Sequence, residues 1–192
     1  MLIGEAPCTK DLITITDTDF KRVSAVSIVL IFLIILVVFK SVSLPIILVA
    51  VIEFAIFVNM GIPGFTGTKL PFIASIVIGT IQLGATVDYA ILMTTKYRKN
   101  RYTGMDKKPA IKKELADSTN SVIVRALCFF SATFGVGLYS NIDMISSICI
   151  LLARGAIISM FVVVFILPSM FMIFDKVICA TSAGFKNKNL TA

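Results

Sequence analysis

Five stretches of this chain are long and apolar enough to cross a bilayer as helices, and no other feature constrains its fold as tightly. A hydrocarbon core about 30 Å thick is crossed by about 20 residues at a rise of about 1.5 Å each. The runs are Val23 to Phe39, Leu44 to Met60, Pro71 to Thr95, Ser121 to Ser140 and Ser146 to Phe174. Inside lipid every backbone N–H and C=O needs an internal partner, so the expected fold is an all-α membrane protein, a five-helix transmembrane bundle. Lys40, Ser41, Val42 and Ser43 make the first turn. Pro45 falls in the first turn of the second helix, where its missing N–H costs nothing. Gly61, Pro63, Gly64 and Gly67 predict a loop before the third helix, and Pro168 predicts a kink in the fifth.

Composition narrows the class. Of 192 residues, 57% are apolar and only 15% charged, against about 25% charged in a soluble domain. Disorder, nucleic-acid binding and cytosolic enzymology all lose ground on that figure. Histidine is absent, and Cys8, Cys128, Cys149 and Cys179 show no CxxC spacing. Neither a metal site, a disulfide framework nor Ser/His/Asp chemistry is expected.

The net charge of +7 reads as topology rather than as a nucleic-acid footprint. Lys96, Arg98, Lys99, Arg101, Lys107, Lys108, Lys112 and Lys113 crowd the connection between the third and fourth spans, which the positive-inside tendency places in the cytoplasm. The chain therefore divides into residues 1–20, an extracytoplasmic segment, residues 21–176, the five-span domain with a basic cytoplasmic loop at 96–120, and residues 177–192, a cytoplasmic tail. Lys21 and Arg22 sit on the outer side against this tendency, and the larger cluster decides. The first segment carries Glu5, Asp11, Asp17 and Asp19 and lacks the regions of a signal peptide, so the protein is expected to continue upstream of Met1. Within 96–120, the stretch Ala110 to Asn120 has the pattern of an amphipathic helix lying along the membrane.

Ionisable side chains inside spans cost about 2.5 to 3.5 kcal/mol each on insertion scales, and four of them stand out: Glu53, Asp88, Arg125 and Arg154. Arg125 is near enough to the basic end of its span to reach the interface. Arg154 is deeper and needs a buried partner or a wet cleft, with Glu53, at the middle of the second span, as one candidate. Asp88 is the most informative. Its helix face carries Gly84 and Ala85 one turn earlier, with Val77 and Ile81 further back and Leu92 and Thr95 beyond, and small residues there let another helix approach; Gly79 is a further close-packing candidate on the same helix. The acid is thus expected to face protein. Gln82 and Thr80 add polar groups on neighbouring faces. A desolvated carboxyl that exchanges protons is the chemistry of a relay; a protonated Asp serving only as helix glue is the alternative. Ser131, Thr133, Gly135 and Gly137 in the fourth span read as packing residues.

The run Gly84-Ala-Thr-Val-Asp-Tyr-Ala-Ile-Leu-Met-Thr-Thr-Lys-Tyr-Arg resembles the central-helix motif of the RND superfamily in its MMPL branch, a Gly-x-x-x-Asp-Tyr stretch leading into a basic segment. Ala153-Arg-Gly-Ala-Ile-Ile-Ser and Leu167-Pro-Ser-Met-Phe resemble that family's closing helix, and Gly4-Glu-Ala with Asp11-Leu the end of its porter domain. The resemblance implies the second repeat of a transporter, helices eight to twelve, in the plasma membrane. It further implies Asp88 and Tyr89 as a proton relay, with Glu53, Gln82 and Arg154 as possible intramembrane partners. The proton gradient, with no cofactor, would be the energy source. Lipids or other amphiphilic compounds would be the substrates, membrane lipids the surroundings, and the missing N-terminal half or an oligomeric partner the remainder of the machine. Two other readings share the topology: a lipid sensor or scaffold of the sterol-sensing type, and a SecD/SecF-like translocation accessory. Tyr89 argues against the latter.

Overall fold

The computed structural model describes residues 5–67 and 73–181. Among these the chain is all helical: α1 (Glu5–Phe39), α2 (Ser43–Thr66), α3 (Ala74–Tyr102), α4 (Lys107–Tyr139) and α5 (Asp143–Thr181). All five are long and apolar enough to cross a membrane. Residues 182–192 of the expected tail, Lys69 and the side chains of Cys8 and Cys179 lie outside the described residues.

Several helices outrun the spans that hydropathy marks. Residues 5–20 are not a separate segment of backbone but the opening turns of α1, continuous with the first span. At the far end of α1, Lys40 takes a left-handed φ of 49° and turns the chain into α2. The expected loop at Gly61 is helix instead: α2 runs through Gly61, Pro63 and Gly64 to Thr66 and ends at Gly67, whose φ of 66° suits a residue without a Cβ. The basic stretch at 96–120 is likewise mostly helical, with only residues 103–106 between α3 and α4. Ala110 to Asn120 is therefore the first part of one unbroken α4. Its 33 residues measure about 50 Å against a core of about 30 Å. The turns before residue 121 stand clear of the apolar segment. α5 continues through Pro168.

α3 is the hub. It packs against each of the other four helices, which follow around it in the order α1, α2, α5, α4. Among the described residues α1 does not approach α4, so the ring is open on that side. The core behind the opening is apolar and tight, with Ile35, Leu48, Ile52, Ala55, Ala90, Met93, Val163, Leu167 and Phe171 at 0% exposure. At the basic end polar bonds close the helices together. Arg98 donates to the Phe39 carbonyl at 3.3 Å, which the end of α1 leaves without a helical partner, and Asn100 donates to the Ala110 carbonyl at 3.2 Å.

Candidate functional site

The gap between α1 and α4 decides where Asp88 points. Ile81, Gly84 and Asp88 are exposed, spaced three and four residues apart on one face of α3, while Gln82, Leu83, Thr86, Val87, Tyr89 and Ala90 are buried on the other. Expected to face protein, Asp88 has no helix over it among the described residues. Gly84 has no atom within 4 Å of where a Cβ would stand, and a Cβ on Gly79 would meet the Phe20 ring at an ordinary 3.7 Å. Ala85 is half-buried beside them. Gly84 and Ala85 thus leave an open strip instead of lining an occupied contact among the described residues, while Gly79, on another face, packs against α1. Tyr89 is 3% exposed, and its ionisable neighbours are Asp88 with Arg125 and Cys128 of α4. Arg125, whose depth allows it to reach the interface, stands beside the Asp-Tyr pair.

A second polar centre joins α2, α3 and α5. Asn59 donates to Gln82 at 2.8 Å and to the Leu151 carbonyl at 3.3 Å. Gln82 in turn donates to Ser159 at 3.1 Å and to the Gly155 carbonyl at 3.4 Å. Ser159 bonds the same carbonyl at 2.6 Å. Asn59, Gln82 and Ser159 are each 1% exposed, so their amides and hydroxyl satisfy one another where water does not. Arg154 completes the centre, its Nε on the Asn59 side-chain oxygen at 3.0 Å and its Nη2 on the Asn59 backbone carbonyl at 2.9 Å. That carbonyl is available for a reason written in the sequence: its helical partner would be the N–H of residue 63, and Pro63 has none. Gly155 lets the helices meet, since a Cβ there would fall 2.6 Å from Asn59 Nδ2 and 2.7 Å from Gln82 Oε1.

Arg154 therefore takes Asn59, not Glu53, as its partner. Glu53 lines a cavity of about 360 Å3 between α1, α2 and α3, together with Lys21, Ser24, Gly79 and Thr80. Of the small residues in the fourth span, Gly137 packs closely, since a Cβ there would fall 2.9 Å from Ile150, whereas a Cβ on Gly135 would meet nothing within 4 Å.

At the basic end, Tyr97 donates to Asp175 at 2.5 Å and Arg101 pairs with the other oxygen of the same carboxylate at 3.0 Å. Tyr97 stacks on Phe171, ring centres 4.8 Å apart, and Arg101 also holds the Met105 carbonyl at 2.7 Å. Asn59, Gly155, Ser159 and this clasp were not singled out from the sequence. The four-residue spacings Asn59 to Pro63 and Gly155 to Ser159 were the available signals.

Five apolar helices, four of them around the hub α3, with ionisable and amide groups buried between them, define a multi-pass membrane protein. The chain matches the MMPL family over residues 1–184 and belongs to it; that family is one of transporters. Over 113 residues, 57% of this chain, it is 28% identical to YdgH of Bacillus subtilis (strain 168), which is named as a membrane protein. The chain spans 13% of that relative's length.

Proposed function

We propose that this chain is the second-half transmembrane domain of a proton-driven exporter of lipids or other amphiphilic compounds. Asp88 and Tyr89 are its proton relay, and the basic end lies in the cytoplasm. The observation that carries the reading is the open strip of α3. A carboxyl exposed there, inside an apolar span, is costly against lipid, yet Gly84 and Ala85 beside it leave room for a close neighbour. A second transmembrane half laid over the gap between α1 and α4 covers that strip. It also encloses Asp88 with Tyr89 and Arg125, an acid, a hydroxyl and a cation across which a proton can be bound and released. Membership in a transporter family supports the same reading. The Glu53 cavity, of about 360 Å3, is of the size that receives the polar group of an amphiphile.

The test is Asp88→Asn in the full-length transporter. Proton-driven efflux of lipophilic compounds from membrane vesicles should be abolished while the variant reaches the membrane at normal levels. Unchanged efflux would overturn the relay role.

A further inference from the structure

Glu114 is a buried acid for which the relay has no use. Its exposure is 0%, and neither carboxyl oxygen has a hydrogen-bond partner. It lies in the projecting turns of α4, on the buried face that also carries Ala110, Ile111, Ser118, Val122 and Ala126. The bond from Asn100 to the Ala110 carbonyl sets the antiparallel register of α3 and α4. Four residues on from Ala110, Glu114 falls level with Tyr97, about 12 Å closer to the basic end than Tyr89. Ser118, one turn nearer the relay, is also 0% exposed, and its hydroxyl is the polar group that acts on the Glu114 carboxyl.

Among the described residues, the charged and titratable groups at this level of the neighbouring helices are Lys96, Tyr97 and Arg101 of α3 and Asp175 of α5, the last three of which bind one another. On its own helix Glu114 has Asp117, which is exposed. None of them gives Glu114 a hydrogen bond or an ion pair. A carboxylate out of water with no cation paired to it and at best one hydroxyl beside it is costlier than the neutral acid. Burial, with Asp117 adding to it and the Ser118 hydroxyl opposing it, pushes the Glu114 carboxyl up to about 8. Ionisation requires water, and water requires the projecting turns of α4 to part from α3 and α5.

We infer that Glu114 is a second proton-binding site of this protein, keeping its proton while α4 is packed and releasing it to solvent at the basic end when those turns separate. Release breaks the carboxyl O–H bond, the proton passes to water, and the carboxylate left behind is hydrated in the opened seam. The proton site stands on Glu114's own surroundings; its share in transport rests on the proton-coupled reading above.

Infrared titration of the purified full-length transporter tests it. A protonated-carboxyl band should persist at neutral pH, fade with a midpoint near 8, vanish in Glu114→Gln and survive in Asp88→Asn. Glu114→Asp should move the band without removing it, which keeps the test decisive if the Gln variant does not fold. A band at mildly acidic pH unaltered by Glu114→Gln and Glu114→Asp overturns the inference. If Glu114→Gln removes the band while Asp88→Asn leaves efflux untouched, the relay fails and the Glu114 site stands.

Discussion

Gly155 is the position that lets α2, α3 and α5 approach at the polar centre. A methyl group there would sit 2.6 Å from the Asn59 amide and 2.9 Å from the Gln82 side-chain carbon, and both are held by hydrogen bonds that do not allow them to swing aside freely. Gly155→Ala is therefore expected to destabilise the bundle by about 1 to 3 kcal/mol, the usual range for overpacking, read as a lower melting temperature in detergent. Gly84 behaves oppositely, because nothing lies within 4 Å of its Cβ position. Gly84→Ala should leave the melting temperature of this bundle unchanged or raise it, since Ala favours the helix by about 0.5 to 1 kcal/mol, whereas the bulkier Gly84→Leu should suppress efflux by blocking the proposed covering half. Full efflux from the leucine variant would argue against a partner on that strip. Gln82, Asp88 and Arg154 were legible in the sequence because polar groups are expensive in lipid. Asn59 was not, since it precedes Gly61 and Pro63 and reads as the approach to a loop. Which way Asp88 points was also hidden: spacing shows which residues share a face, not whether this chain covers it.

At the scale of elements, the end of α2 shows how a residue that ordinarily breaks helices serves a contact. Pro63 withholds an N–H from Asn59, and Arg154 of α5 takes the vacant carbonyl at 2.9 Å. In Pro63→Ala the helix itself satisfies that carbonyl, so Arg154→Ala should cost less there than in the native background. A coupling energy of about 1 kcal/mol is expected from a thermal double-mutant cycle; additive effects would refute the link. The projecting turns of α4 carry a pH prediction. A folded-state value for Glu114 of about 8 against an ordinary 4.5 means the folded form holds its proton longer. The resulting stability is full below 4.5 and is lost as pH rises through about 8. Melting temperature should accordingly fall across that window, and fall less in Glu114→Gln. Hydropathy located the five spans and not these extensions, because it sees only the length that lipid requires. Lys, Arg, Glu and Ala are good helix formers, and they carry α3 and α4 onward into the basic stretch that reads as loop.

For the whole molecule, a hub helix in an incomplete ring makes a specific claim about assembly. With the native cysteines removed, Ile81→Cys on the exposed strip should cross-link to the other half of the full-length transporter. A strip that labels freely with lipid-soluble reagents and never cross-links would place the second half elsewhere. The five-helix architecture and the Asp-Tyr run were legible from the sequence; the opening of the ring arises from long-range packing that no local pattern encodes. The two polar centres of α3 also bear on how the bundle can move. Gln82 is fastened to α2 and α5 near one end, and Tyr97 and Arg101 are fastened to α5 near the other. About 22 Å of helix separate Gln82 from Tyr97, with Asp88 between them. A rod fixed at two points does not act as a piston: under the proposed relay, a proton gained or lost at its middle would be relieved by tilting α2, α3 and α5 together as one block, a rocking stroke.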